Sequence, residues 1–403
     1  MRKIKLGMIG LGCRGYALLE TVAAVGQAEI TAVCDVYADR VRRGADRVKE
    51  LFGTSPAEYA DFRALLRDKN VEAVFIATPW NEHVRMATES LRAGKITAME
   101  VCGAADIEEC WELVRTYEQT KTPFMFMENC CYGKFEMLSE ALVRAGKLGT
   151  VVHCHGAYGH DLRDEILGGR VNRHYRLENY RKRNGENYPT HELGPIAKLL
   201  EINHGNRMVS LVSVASKSAG LYEFSLTDKN PDASLRDAHF AQGDIVSTII
   251  TCANGETITL TLDTTLPRYY SREYTVRGTK GLCNQEANMV FLEGETDEHG
   301  FYDPNLTVKK YLDNAETYTD YIPQEWKDMT EAEKEAGHGG MDFLMFRDFL
   351  NAAATGRTMP VDVYDAAAWM CVTALSEQSV AQGGAPQSVP DFTRGKWIKK
   401  DWD

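Results

Sequence analysis

The feature that most constrains what this chain can fold into lies near its N-terminus. "KIKLGMIGL" reads as a strand, and Gly10-Leu11-Gly12-Cys13-Arg14-Gly15 matches the spacing G-x-G-x-x-G. "GYALLETVAAVG" then reads as a helix and "EITAVCDV" as the next strand, with Asp35 twenty positions after Gly15. Strand, glycine turn, helix, strand and terminal acid in that order make a dinucleotide-binding βαβ unit. Gly10 permits the tight turn, Gly12 lets a pyrophosphate approach the backbone, and Gly15 lets helix and strand pack closely. The helix N-terminus offers free N–H groups and a partial positive charge to the phosphates. Asp35 would accept hydrogen bonds from the adenosine ribose hydroxyls and repel a 2′-phosphate, which favours NAD over NADP.

The rhythm continues. "DRVRRGADRVKELFG" is an amphipathic helix, "VEAVFIATP" a buried strand ended by Pro79, "NEHVRMATESLRAG" a helix closed by Gly94, and "KITAMEV" another strand. This alternation predicts an α/β domain, a Rossmann doubly wound parallel sheet over residues 1–125. After about residue 150 the runs lengthen into expected antiparallel strands: "TVVHCHGAYG", "RMVSLVSVASKS", "DIVSTIITCANGETITLTLDTTL" with a hairpin turn at Asn254-Gly255, and "REYTVRGTKGLCNQEANMVFLEG". "PTHELGPIAKLLEIN" reads as a helix between them, and the polar stretches 220–240 and 295–335 as loops. Two helical stretches, "GGMDFLMFRDFLNAAATG" and "DVYDAAAWMCVTALSEQSVAQGG", lead the chain back toward the Rossmann domain. Residues 126–403 are therefore expected to form an α+β substrate-binding and catalytic domain with an open, mostly antiparallel sheet.

Charge narrows the function classes. The net charge of −12 argues against a nucleic-acid or anionic-membrane binder, because both need a basic surface. No run of about 18 apolar residues offers a transmembrane helix. The basic start is followed by a strand rather than a long apolar segment, so no signal peptide is expected and the protein is read as cytoplasmic. Its ten cysteines are scattered without a CxxC pair and are read as free thiols.

Other candidate residues cluster at strand ends. "ATPWNEHV" puts Pro79, Trp80, Asn81 and His83 at the carboxyl end of a strand, the edge where open α/β sheets bind ligands. "MEVCG" and "MENCCYG" end two further strands there, so Glu100 and Asn129 could reach the nicotinamide ribose. In "HCHGAYGHD", His153 and His155 share a strand face and His160 and Asp161 follow. A metal set is thin on those residues; the plainer reading has these histidines lining or flanking a pocket, and no metal is assigned. His338 receives no role.

These pieces together resemble the Gfo/Idh/MocA family, which pairs a Rossmann domain with an open-sheet substrate domain and consists largely of sugar and polyol dehydrogenases. Its members carry Glu-Lys-Pro where this chain reads Glu100-Val101-Cys102. The lysine assists proton transfer in that family, and Val101 cannot. "NGENYPTHELGPIAKLLEINHGNRM", with "MENCCYG", "HYRLENYRKRNG" and "TTLPRYYSREYTVRGTKG", is similar to one branch, glycoside hydrolase family 109, whose founding activity is α-N-acetylgalactosaminidase. The resemblance implies that Gly10, Gly12, Cys13, Arg14, Gly15, Asp35, Trp80, Asn81, Glu82, His83, Glu100, Val101, Asn129 and Tyr188 contact a tightly bound NAD. It implies that Tyr158, Arg176, Tyr188, His191 and Tyr270 bind the sugar, with His191, Tyr188 and Tyr158 catalytic. Tyr269 stands where many relatives have proline, and Glu192 where a glycine is expected.

A typical glycosidase uses two carboxylates. The resemblance implies another route. Oxidation at C3 of the sugar acidifies C2, the C1 substituent leaves by elimination, water adds, and the cofactor is restored each turnover. His191, with an ordinary pKa near 6.5, is the leading proton-transfer candidate, and Tyr188 precedes it by three positions at an expected helix start. The expected partner is a small-molecule glycoside, and a homo-oligomer is expected by analogy. The alternatives are a sugar dehydrogenase that releases NADH and a non-catalytic sensor of NAD or sugar.

Overall fold

The structure, a computed structural model, describes residues 2–294 and 311–402. The chain divides into two compact units, residues 1–129 with 329–371 and residues 130–328 with 372–403.

In the first unit the near-continuous apolar runs become strands because helices cover both faces of a parallel sheet. The strands are β1 (Ile4–Ile9), β2 (Ala28–Cys34), β3 (Ala57–Tyr59), β4 (Ala73–Ile76), β5 (Ile96–Glu100) and β6 (Phe124–Met127). They lie in the order β3-β2-β1-β4-β5-β6, and every pair is parallel. The order reverses at β1 and β4, so a ligand site is expected outside their carboxyl ends. Leu6, Met8, Phe75 and Phe126 are buried there. The Phe75 ring lies 5.0 Å from Phe346 of the helix Met341–Thr355, and Phe126 lies 6.2 Å from Trp369. The edge strand β3 carries no expected pattern in the sequence: its three residues are exposed or half-buried, so no apolar face marks them.

The second unit holds β7 (Val151–Gly159), β8 (Met208–Ala215), β9 (Ile245–Cys252), β10 (Thr257–Asp263), β11 (Thr275–Gly278), β12 (Gly281–Asn284), β13 (Met289–Leu292) and β14 (Gln387–Ser388). Their order is β13-β12-β11-β7-β10-β9-β8-β14. The pair β7–β10 is parallel and the others are antiparallel. The β9–β10 hairpin turns at Asn254-Gly255, with Gly255 at φ +99°. The expected long strands over 272–294 are corrected to three short ones, because the chain turns at Thr279-Lys280 and again at Asn288, which takes a positive φ of 42°. The expected loop at 220–240 contains a short helix, Gly220–Ser225, whose first amides are held by the Asp244 carboxylate at 2.8–3.0 Å. Within 295–335, residues 295–310 lie outside the described residues. The rest contains the short helices Gln324–Lys327 and Glu331–Glu335, the second closed by a Thr330–Glu333 capping box. Among the described residues no helix is long and apolar enough to cross a membrane.

One packing contact organises the site side of this unit. The helix Thr190–Leu199 presses on β7 at Gly156, where a Cβ would come within 2.6 Å of the Glu192 carbonyl oxygen. That approach brings the residues around the helix start onto the carboxyl end of β7.

Candidate active site

In the first unit the three glycines of the turn have different reasons. Gly10 sits at φ +92°, and a Cβ would lie 2.4 Å from the Ala77 carbonyl oxygen; a Cβ on Gly15 would lie 1.9 Å from the Gly10 carbonyl oxygen. Both are demanded by the fold. Gly12 is not: its φ is −64°, and the nearest atom to a Cβ is Arg40 Nη1 at 3.6 Å. Bare backbone at a helix N-terminus, with no protein atom closer than ordinary contact distance, is the cradle a pyrophosphate needs, so the residues present fit a dinucleotide. Asp35 is buried, and its carboxylate accepts from the amides of Leu11 (2.8 Å) and Tyr37 (2.9 Å). It therefore locks the glycine turn to the end of β2 at the place where a ribose would meet it.

Arg14 reaches two carboxylates. Its Nε donates to Glu100 at 2.8 Å, and its two terminal nitrogens grip Asp342 at 2.7 and 2.8 Å. Asp342, at the start of the helix Met341–Thr355, also accepts from Asn129 Nδ2 (2.9 Å) and meets His338 Nδ1 at 2.8 Å. Burial alone would raise the Asp342 pKa, but hydrogen bonds and charge from Arg14 and His338 outweigh it and hold the carboxyl well below its usual range. Glu100 and Asn129, read from the sequence, thus join one polar group with the buried Asp342 and the exposed His338, neither of which was assigned a role from the sequence. Only the Gly339-Gly340 pair ahead of an acid in a first helical turn could have signalled it.

Val101 is buried and its amide donates to Glu100 at 3.2 Å. Trp80 is buried at the first position of the helix Trp80–Arg92, Asn81 beside it is exposed, and Glu82 pairs with Arg85. His83 is almost wholly buried, and its Nε2 donates to the Thr78 carbonyl at 2.7 Å. Burial pushes its pKa down to about 4, so the imidazole is neutral and braces the turn that carries Pro79 and Trp80. Cys13 is exposed at the start of its helix.

In the second unit the expected sugar residues converge. The Tyr158 ring, at the end of β7, lies 4.9 Å from Tyr188, 5.5 Å from His191 and 6.4 Å from Tyr270. Tyr188 and His191 meet edge to face at 4.8 Å. The Arg176 guanidinium sits 5.1 Å over the Tyr188 ring and ion-pairs with Glu165 at 2.7 Å. His160 belongs to the group as well: its Nδ1 lies 3.3 Å from the Tyr158 hydroxyl and its ring 5.2 Å from Tyr270. Burial raises the Tyr158 and Tyr270 phenols and lowers His160. The phenols therefore stay protonated and the His160 imidazole neutral near pH 7.

The loop carrying Tyr270 is held from both sides. Arg268 packs against Gly159 and pairs with Asp263 (2.8 Å) and Glu273 (3.0 Å). Arg272 is buried against Glu136, with Nε to Oε1 at 2.9 Å, and lies 3.5 Å from the Tyr270 hydroxyl. Tyr269 is 72% exposed, its hydroxyl on Glu286. The other histidines of the strand are occupied: His153 by Thr257 at 2.9 Å, and His155 by Thr261 at 3.4 Å.

Residues 132–399 match the family described as glycosyl hydrolase 109, C-terminal domain, and residues 4–127 match the oxidoreductase family with the NAD-binding Rossmann fold. An α-N-acetylgalactosaminidase from Tannerella forsythia is 36% identical over 98% of this chain and 88% of its own length. A glycosyl hydrolase family 109 protein from Solibacter usitatus is 37% identical over 98% of this chain and 89% of its own. In fold the chain is similar to a levoglucosan dehydrogenase solved with NADH and levoglucosan, with a TM-score of 0.72 at 18% identity over 97% of this chain and 100% of that one. It is also similar to an apo scyllo-inositol dehydrogenase from Lactobacillus casei, with a TM-score of 0.66 at 14% identity over 96% of this chain and 98% of that one. The chain belongs to glycosyl hydrolase family 109 and is a glycosidase built on an NAD-binding Rossmann domain.

Proposed function

We propose that the protein cleaves N-acetylgalactosaminides or related hexosides by transient oxidation at C3, elimination across C1–C2, addition of water and reduction, with NAD kept through the cycle. The observation that carries this reading is the ring cluster of Tyr158, Tyr188 and His191, within 4.8–5.5 Å of one another. It offers proton donors and acceptors where a conventional glycosidase would place two carboxylates. An NAD held by the turn of Gly10, Gly12 and Gly15 would supply the acceptor, and later the donor, of the hydride at C3.

Next to a C3 ketone, His191 takes the C2 proton as base. The electron pair forms the C1–C2 double bond as the C1–O bond breaks, and the departing oxygen takes a proton from a neighbouring phenol, Tyr158 or Tyr188. Water then adds its oxygen to C1 and gives a proton to the phenolate left on that tyrosine, and a proton returns to C2 from His191. Arg176, charged and pinned over Tyr188, is suited to a carbonyl or acetamido oxygen of the sugar. Val101 cannot carry a proton, which leaves this work to the tyrosine–histidine cluster. The substrate class rests on the name of the Tannerella forsythia relative. Cytoplasmic location and a homo-oligomer complete the proposal.

Purified protein incubated with p-nitrophenyl N-acetyl-α-galactosaminide in D₂O, with no added cofactor, should release nitrophenol and a sugar carrying deuterium at C2. NADH accumulating one for one with oxidised sugar, and no nitrophenol, would instead identify a dehydrogenase. Cleavage without deuterium at C2 would remove the elimination step.

A further inference from the structure

Glu186 and Glu192 bracket the Tyr188–His191 segment, and both are buried, at 0% and 1% exposure. Each anchors one carboxyl oxygen on a backbone amide. Glu186 Oε1 accepts from Tyr188 N at 3.2 Å, and Glu192 Oε2 accepts from Thr261 N on β10 at 3.0 Å. The Tyr158 amide faces Glu192 as well. The remaining oxygens, Glu186 Oε2 and Glu192 Oε1, are buried with no other hydrogen-bond donor among the described residues. The two carboxyls are within hydrogen-bonding reach of each other. No lysine or arginine pairs with either among the described residues. Two bare carboxylates so placed would repel with only backbone amides to offset their charge, whereas a proton between them supplies the donor that the pair lacks.

We infer that Glu186 and Glu192 share a proton and form a clasp that positions Tyr188, His191 and the Tyr158 end of β7 for the reaction. The clasp joins the start of the segment to its end and, through Thr261, to the sheet. Its other ties are neutral: Glu186 N donates to Ser376 Oγ at 2.8 Å, and the Asn187 amide meets Gln242. The proton is removed as pH rises. Burial raises the Glu186 carboxyl to about 7 and Glu192 well above its ordinary 4.5. The groups facing the pair do not replace that proton. They are Tyr158 on β7, Tyr180 on the helix Arg176–Lys182, and Tyr188 and His191 on the segment itself. On the helix Val363–Ala381, Glu377 is held by Arg183 at 2.7 Å. Glutamine in place of either acid supplies an N–H donor that no base removes at moderate pH.

The pair is a positioning device, and its role in turnover rests on the glycosidase mechanism proposed above, while its shared proton does not. The test has two arms. Infrared difference spectra of the NAD-loaded protein against the Glu186→Gln/Glu192→Gln variant should show, at neutral pH, a protonated-carboxyl C=O band that disappears on titration to alkaline pH. Absence of that band at neutral pH overturns the inference. In the second arm, pH–rate profiles of glycoside cleavage compare the parent with Glu186→Gln and Glu192→Gln. The parent should lose kcat on an alkaline limb, and at least one variant should move that limb up by about one pH unit, so that on the limb it retains about tenfold more of its neutral-pH rate than the parent does of its own. Superimposable profiles from variants with parental melting temperatures and NAD content overturn the positioning role. A parent that cleaves no glycoside sinks the proposed function, and the infrared band still decides whether the proton is shared.

Discussion

Replacing Gly12 by alanine separates folding from cofactor binding. At φ −64° an alanine is unstrained, and its Cβ meets nothing of the protein nearer than 3.6 Å. Gly→Ala at a compatible conformation lowers the entropy of the unfolded chain, while alanine is a poorer helix N-cap than glycine; the two oppose, so Gly12→Ala should change stability by less than about 1 kcal/mol. The same Cβ occupies the space through which a pyrophosphate reaches the backbone amides. Each charge-assisted hydrogen bond lost there costs about 1.5–3 kcal/mol, so losing one weakens NAD about 10- to 150-fold. Gly10→Ala and Gly15→Ala are the contrast. Their Cβ atoms would fall 2.4 and 1.9 Å from carbonyl oxygens. Overlap at both sites, with added backbone strain at Gly10, costs about 2–5 kcal/mol. Thermal melts of the apo-proteins and calorimetric titration with NAD read the two effects. Parental NAD affinity in a well-folded Gly12→Ala variant would refute the assignment of the turn.

Asp35→Ala removes the acceptor of the buried Leu11 amide and the half-buried Tyr37 amide, and a carboxylate placed to repel a 2′-phosphate; the ratio of NAD to NADP affinity, measured by calorimetry, should fall, and the melting temperature with it. Asp342→Asn breaks the grip on Arg14, whose side chain is 30% exposed; the loss should be about 2–3 kcal/mol in urea unfolding, toward the lower end for a broken buried pair. His83 is neutral when folded, with its pKa lowered from 6.5 to about 4. Its contribution is present above pH 6.5 and is lost as pH falls toward 4, up to about 3 kcal/mol, and His83→Gln should flatten that stretch of the stability–pH curve. His191→Ala should abolish glycoside cleavage while leaving NAD content unchanged; an unchanged rate removes His191 from the mechanism.

The Rossmann half was legible because its signals are local. A glycine turn needs particular backbone angles, and buried parallel strands need continuous apolar runs, so β1, β2, β4 and β5 could be read from short windows. The strand β3 escaped because it is three residues at an edge without an apolar face. The Tyr188–His191 and Tyr158 pieces were legible only through the family resemblance, since nothing in their own spacing says that β7 and the helix Thr190–Leu199 touch. That contact depends on Gly156, an unremarkable residue in sequence. Asp342, Glu136 and the partnership of Glu186 with Glu192 depend on groups far apart or on burial, which a single sequence does not display. Arg14 shows the same limit: its place in the motif says nothing of Glu100 and Asp342, which its guanidinium grips.

The central claim is that NAD is reduced and reoxidised within one act of glycoside cleavage. Stopped-flow absorbance of the NAD-loaded protein, mixed with a single equivalent of p-nitrophenyl glycoside, follows the reduced nicotinamide and the released nitrophenol together. The account predicts a transient of reduced nicotinamide that precedes or accompanies nitrophenol and returns to the baseline, slowed by deuterium at C3 of the sugar. Cleavage with no transient and no isotope effect, in protein whose NAD has been stripped, would contradict it.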